Sequence, residues 1–226
     1  MQKLLRGIVE FRETQLPAYR ERFAHLATGQ KPDSLFIACS DSRVVPNLFA
    51  STDPGQLFVM RNVGNLMPEA SGSGHSIADE SEAAAIEFSL GALGVDDIVV
   101  CGHSNCGAMK AALTGEIPPG MPNLKAWLRH AAPAVQRLAE KGPFDPELPR
   151  ADQLSQWNVL VQLENIRTYP MVADRLAKGL LRLTALWFDV ATGVVHAFDE
   201  ETGKYKEICG VFAEALIARF TSRAGS

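Results

Sequence analysis

Short apolar runs alternate along this chain with longer segments whose apolar positions recur at helical spacing. "SLFIAC" (residues 34–39) is continuously apolar, the pattern of a strand buried on both faces. "QLFVMRN" (56–62) is a second such run and "DIVVCG" (97–102) a third. Between the last two, "ESEAAAIEFSLGAL" (80–93) is rich in alanine and glutamate and predicts a helix. "NCGAMKAAL" opens another helix directly after the third strand. Ahead of the first strand, Leu4, Leu5, Ile8 and Phe11 share a helical face. Pro17 sits where a second helix begins, with Tyr19, Phe23 and Leu26 on one side and Gly29 as its stop, so two helices are expected before the core.

The middle of the chain reads as helical. Leu124, Trp127, Leu128 and Val135 mark one segment, and "DQLSQWNVLVQLENIRTYP" marks another that stops before Pro170. "LTALWFDVATGVVHAFDEETGKYKEI" (183–208) alternates and carries turn signals at Thr192-Gly193 and Thr202-Gly203, which predicts antiparallel edge strands. "VFAEALIARF" closes the chain as a helix, and "EASGSGHSIADES" (69–81) reads as a flexible loop. Strands alternating with helices predict an α/β fold. The expected architecture is a central, mainly parallel β-sheet with an antiparallel edge, flanked by helices, behind an N-terminal helical arm. With 226 residues and no internal repeat, a single domain over 1–226 is the simplest organisation.

Composition narrows the function classes. Hydrophobic residues make up 46% and charged residues 21%, and the net charge is −4, so there is no broad basic surface to hold nucleic acid. Charges interrupt every apolar run of "MQKLLRGIVEFRETQL", and no stretch approaches the roughly 20 apolar residues of a membrane span. A cytoplasmic protein is expected. The four cysteines, Cys39, Cys101, Cys106 and Cys209, then favour metal or catalytic use over a disulfide framework.

In parallel sheets, sites lie beyond the carboxyl ends of the strands. Cys39 ends one expected strand and His103 follows another, so both reach the same edge. His103 and Cys106 stand three apart where strand turns into helix. Two thiolates and one imidazole suit Zn²⁺ and leave its fourth position open for chemistry. Cys101 lies within an apolar strand and is read as core, and Cys209 is given the same packing role. Asp41 and Arg43, two apart in an extended segment, point the same way and can pair beside the metal. Ser40 and Ser42 are placed to brace that loop.

"CSDSR" followed by "GHSNCGAM" resembles the β-class carbonic anhydrases, especially the plant and cyanobacterial branch. The resemblance implies one Zn²⁺ per chain on Cys39, His103 and Cys106, with Asp41 and Arg43 as the catalytic dyad. In closed forms of the family the counterpart of Asp41 is itself a metal ligand. Gly107 matches a glycine whose N–H positions substrate, Gln30 a glutamine reaching in across a dimer interface, and Phe58 an aromatic pocket wall; Val63 and Phe88 are further apolar candidates. The implied activity is reversible hydration of carbon dioxide to bicarbonate and a proton by a zinc-bound hydroxide. Carbonyl sulfide or carbon disulfide hydrolysis, or non-catalytic zinc or bicarbonate binding, are the alternatives. The implied unit is a homodimer, with residues 1–29 as the dimerising arm, able to assemble into tetramers or octamers. His75, in the Gly/Ser loop, is a candidate proton shuttle against the plainer reading of an exposed histidine. This chain departs from the family pattern in three places. Phe88 replaces a tyrosine, Phe36 and Ala38 replace the tryptophan and glycine of the allosteric type, and residues 65–81 run a few residues long.

Overall fold

The computed structural model describes residues 1–223. In chain order, α1 (Gln2–Glu10) and α2 (Leu16–Leu26) precede β1 (Ser34–Cys39), the short α3 (Pro46–Phe49) and β2 (Leu57–Asn62). Then come α4 (Glu80–Gly91), β3 (Asp97–His103), α5 (Gly107–Thr114), α6 (Pro122–Trp127), α7 (Ala132–Lys141), α8 (Arg150–Arg167) and α9 (Pro170–Ala177). β4 (Arg182–Phe188), β5 (Val195–Asp199), β6 (Lys204–Glu207) and α10 (Gly210–Arg223) complete it. The six strands form one sheet in the order β2-β1-β3-β4-β5-β6. The first four run parallel, and β5 and β6 add an antiparallel edge. Among the described residues no helix is long and apolar enough to cross a membrane.

β1 is buried at every residue because each face of the sheet has its own core. Leu35 and Ile37 pack with Ile86, Val159 and Ile166 from α4 and α8. Phe36 and Ala38 face the other way, toward Val44, Cys101 and Phe188, where Phe49 stacks on Phe188 at 4.8 Å. α8 comes close to the sheet at Gly102. A Cβ there would stand 2.7 Å from Val159 Cγ2 and 3.1 Å from the Ser155 carbonyl oxygen. Gly102→Ala is therefore expected to cost about 1–3 kcal/mol, the usual range for overpacking. Urea denaturation would show a lower midpoint; an unchanged midpoint would mean that α8 has slack.

Several elements differ from the sequence reading. The two N-terminal helices are one continuous rod, joined by a π-helical turn over Phe11–Gln15. Proline removes a backbone donor and crowds the preceding turn, and widening that turn lets the helix pass Pro17 unbroken. β2, expected to be buried on both faces, is the open edge of the sheet and is only half covered. β4 is an inner strand parallel to β3, so only β5 and β6 are antiparallel. Pro170 does not merely end α8 but opens α9 from its first turn, a position where no N–H is needed. Cys209 is exposed rather than packed in the core, whereas Cys101 is fully buried. The 69–81 segment closes on itself through an Ala70–Ser76 bridge, and Asp79 caps α4 by accepting the Ser81 N–H at 2.7 Å.

Candidate metal centre

β1 and β3 are adjacent and parallel, so Cys39 and His103 reach the same end of the sheet. The turn after β3 carries Asn105 at φ 53°, a left-handed conformation that asparagine tolerates better than most residues. That turn delivers Cys106 as the N-terminal cap of α5. The two sulfurs and an imidazole nitrogen thus come to lie within 4.8 Å of one another, and all three residues are buried.

The donor set fits zinc. His103 Nδ1 donates to the Ser104 carbonyl oxygen at 2.9 Å, which fixes the tautomer and leaves the Nε2 lone pair free. That Nε2 is buried with no hydrogen-bond partner, a costly arrangement for a polar atom unless an electrophile occupies the space before it. The Cys39 thiol is held well below its ordinary pKa. Its largest cause is a hydrogen bond from the Cys106 thiol; burial opposes it, and His103 and the Gly64 N–H, 3.3 Å from the sulfur, add to it. Cys106 is pushed up by the same sulfur–sulfur contact and by burial, while the N–H groups of Met109 and Ala108 at the start of α5 work the other way.

Beside this triangle, Arg43 holds Asp41 with a fork. Its Nε donates to Asp41 Oδ1 at 2.9 Å and its Nη2 to Oδ2 at 2.7 Å, while the Arg43 backbone N–H also reaches Oδ1. The guanidinium keeps the Asp41 carboxyl well below the usual carboxylate range, so it is ionised at neutral pH. Both Asp41 oxygens are engaged by Arg43, and Asp41 stands outside the sulfur–nitrogen triangle. Arg43 Nη2 further donates to the Asn105 carbonyl at 3.0 Å, tying the first motif to the second.

The remaining candidates divide. Gly107 follows Cys106 directly, and a Cβ there would meet nothing within 4 Å, so the space above the N-terminus of α5 is open. Val63 is exposed one residue before Gly64. Phe58 pairs with Leu35, four residues before the Asn62–Cys39 level, about 13 Å away along the strand. It packs on Phe88 at 5.8 Å. Gln30 is exposed in a cavity of about 500 Å³ with Arg22, His25 and Gln56. Within one chain, Gln30, Phe58 and Phe88 are not gathered around the triangle. His75 is exposed in its loop, and its carbonyl accepts the Ser71 N–H.

Sequence reasoning missed the residues that brace the centre. Arg61 donates to the Cys39 carbonyl at 2.9 Å and to the Asp41 carbonyl at 2.6 Å, which holds the end of β1. On α8, Asp152, Ser155, Asn158, Gln162 and Asn165 are all buried. Their spacing of three, three, four and three is a helical face, and polar residues recurring at that period inside an apolar helix are the signal that was available.

The family model described as carbonic anhydrase matches residues 34–195, a span that contains the whole centre. The chain belongs to the carbonic anhydrase family. A carbonic anhydrase of Pseudomonas aeruginosa is 40% identical over 205 residues, which cover 91% of this chain and 90% of that protein. The β-carbonic anhydrase CcaA superposes with a TM-score of 0.85 at 36% identity, covering 93% of this chain and 92% of CcaA. A tetrameric β-carbonic anhydrase of Sordaria macrospora superposes with a TM-score of 0.73 at 28% identity, over 87% of this chain and 95% of that one. The expected membership in the β class of these lyases, and its mainly parallel sheet with an antiparallel edge, are both borne out.

Proposed function

We propose that this β-class carbonic anhydrase hydrates carbon dioxide reversibly, CO₂ + H₂O giving HCO₃⁻ and H⁺, at zinc held by Cys39, His103 and Cys106. The observation that carries the reading is the buried triangle with its unpartnered His103 Nε2 beside an already formed Asp41–Arg43 fork. When bound, zinc supplies the acidity that turns water into a nucleophile near neutral pH. Asp41 is the acceptor that orients that nucleophile toward carbon, and Arg43 keeps Asp41 charged and turned to the site. The Gly107 N–H, at the positive end of α5, positions a substrate oxygen. Apolar walls suit a substrate without charge, and Val63 supplies one from this chain. Gln30, Phe58 and Phe88 act from a second copy, which is why one chain leaves them away from the centre. The unit is a homodimer joined through residues 1–29, and it can assemble further, as the tetrameric neighbour does.

Stopped-flow CO₂ hydration by the zinc-loaded protein tests this, with Asp41→Asn alongside. The expected result is rapid turnover that Asp41→Asn lowers by about a hundredfold or more, the scale of a lost proton-accepting group. Zinc content is expected to be unchanged in that variant. Absence of turnover from pH 6.5 to 9 in the zinc-loaded protein would overturn the proposal and direct attention to carbonyl sulfide and carbon disulfide.

A further inference from the structure

We infer that one face of α8 is the template that sets the metal triangle, with Asp152, Ser155 and Asn158 as positioning residues acting through the two ligand loops. The inference rests on the zinc reading of the centre. None of the three residues belongs to the triangle, yet each grips a backbone group next to it.

Ser155 Oγ accepts the His103 N–H at 3.2 Å and donates to the His103 carbonyl at 2.8 Å, so both peptide groups of the histidine are fixed by one hydroxyl. Asp152 Oδ1 accepts the Asn105 N–H at 2.5 Å, within the turn that sets the separation of His103 from Cys106. The same Asn105 gives its carbonyl to Arg43, so this contact braces the dyad as well. Asn158 Nδ2 donates to the Gly64 carbonyl at 3.0 Å, and the Gly64 N–H is the donor to Cys39 Sγ. Asn158 is itself held, since its Oδ1 accepts from Gln162 Nε2 at 2.9 Å and Gln162 Oε1 accepts the Met67 N–H at 2.7 Å. Residues three apart on a helix share a face, so a single rigid body controls the positions of all three ligands. Asp152, Ser155 and Asn158 are at most 6% exposed, and burying so many polar groups is costly unless each is used. Outer groups of this kind typically change metal affinity by 10–100-fold when removed.

The test uses the full chain, with zinc affinity measured by chelator competition and the visible spectrum of the cobalt(II) form as the report on ligand geometry. Asn158→Ala and Asp152→Ala are expected to weaken zinc by about tenfold or more and to shift the cobalt bands. Asp152→Asn, which keeps an acceptor for the Asn105 N–H, is expected to recover most of the loss. Glu164→Gln, on the exposed side of α8 where Glu164 pairs with Arg137, is expected to change neither readout. Parent-like affinity and spectrum in both alanine variants would overturn the inference, even if their melting temperatures fall. So would a loss that Asp152→Asn fails to recover. If Asn158→Ala does not fold, the Asp152 pair carries the decision. An unsubstituted protein that binds no zinc or cobalt would instead overturn the zinc reading, and the template with it.

Discussion

Cys106→Ser is expected to leave a folded protein that retains almost no zinc and hydrates carbon dioxide at the background rate. The reasoning begins with the ligand itself. A thiol buried beside Cys39 can lose its proton to a metal, whereas a serine hydroxyl at the same place keeps it near neutral pH. The substitution removes one sulfur and leaves the shape almost unchanged, so the 1%-exposed site has room for it. The cap position at α5 also favours serine, which protects the helix start. Zinc per chain by elemental analysis, circular dichroism and stopped-flow hydration on one sample would check all three parts. Near-parent activity with the metal still bound would show that the third ligand lies elsewhere.

If the protein is the homodimer proposed above, removal of residues 1–29 is expected to leave it a monomer. Every residue of α1 is exposed, and Leu4, Leu5, Ile8 and Val9 are all more than half exposed. α1 buries none of its residues against the rest of the chain, so an apolar side of this kind needs something to cover it. Burying each of those four side chains is worth at most about 1.5–3 kcal/mol. A micromolar association requires about 8 kcal/mol, so the set is of the right size to hold two copies together. The cut falls before Gln30 and touches neither core of the sheet. Sedimentation velocity of the truncated chain at micromolar concentration gives the answer directly. An unchanged sedimentation coefficient ratio to mass would remove the arm from the assembly.

The contrast between what was legible in the sequence and what was not follows from the range of each interaction. β1 and β3 declare themselves because a strand buried on both faces must be apolar throughout, and their ends place Cys39 and His103 without further information. The Asp41–Arg43 fork is local, two residues apart, and so its pairing is legible; its geometry differs from the expected extended segment, because Asp41 opens a turn closed by the Val44 N–H on the Asp41 carbonyl. β2 and β4 were misread because an apolar run does not say whether a strand is inside a sheet or on its border; that is decided by neighbours distant in sequence. Arg61, Asp152, Ser155 and Asn158 were missed for the same reason. Their partners are backbone groups, which have no residue type to recognise, and those on α8 lie 47 to 94 positions away.

That distance also orders events during synthesis. Cys39, His103 and Cys106 all precede α8 in the chain, and Asn158 is separated by 94 positions from the Gly64 carbonyl that it holds. Domains form their long-range contacts only once the later segment has been made. The thiols therefore leave the ribosome before the helix that orients them, and during that interval they are reactive sulfurs without a finished cage. On the proposed zinc reading, metal loading is therefore expected to follow the docking of α8 rather than the appearance of the last ligand.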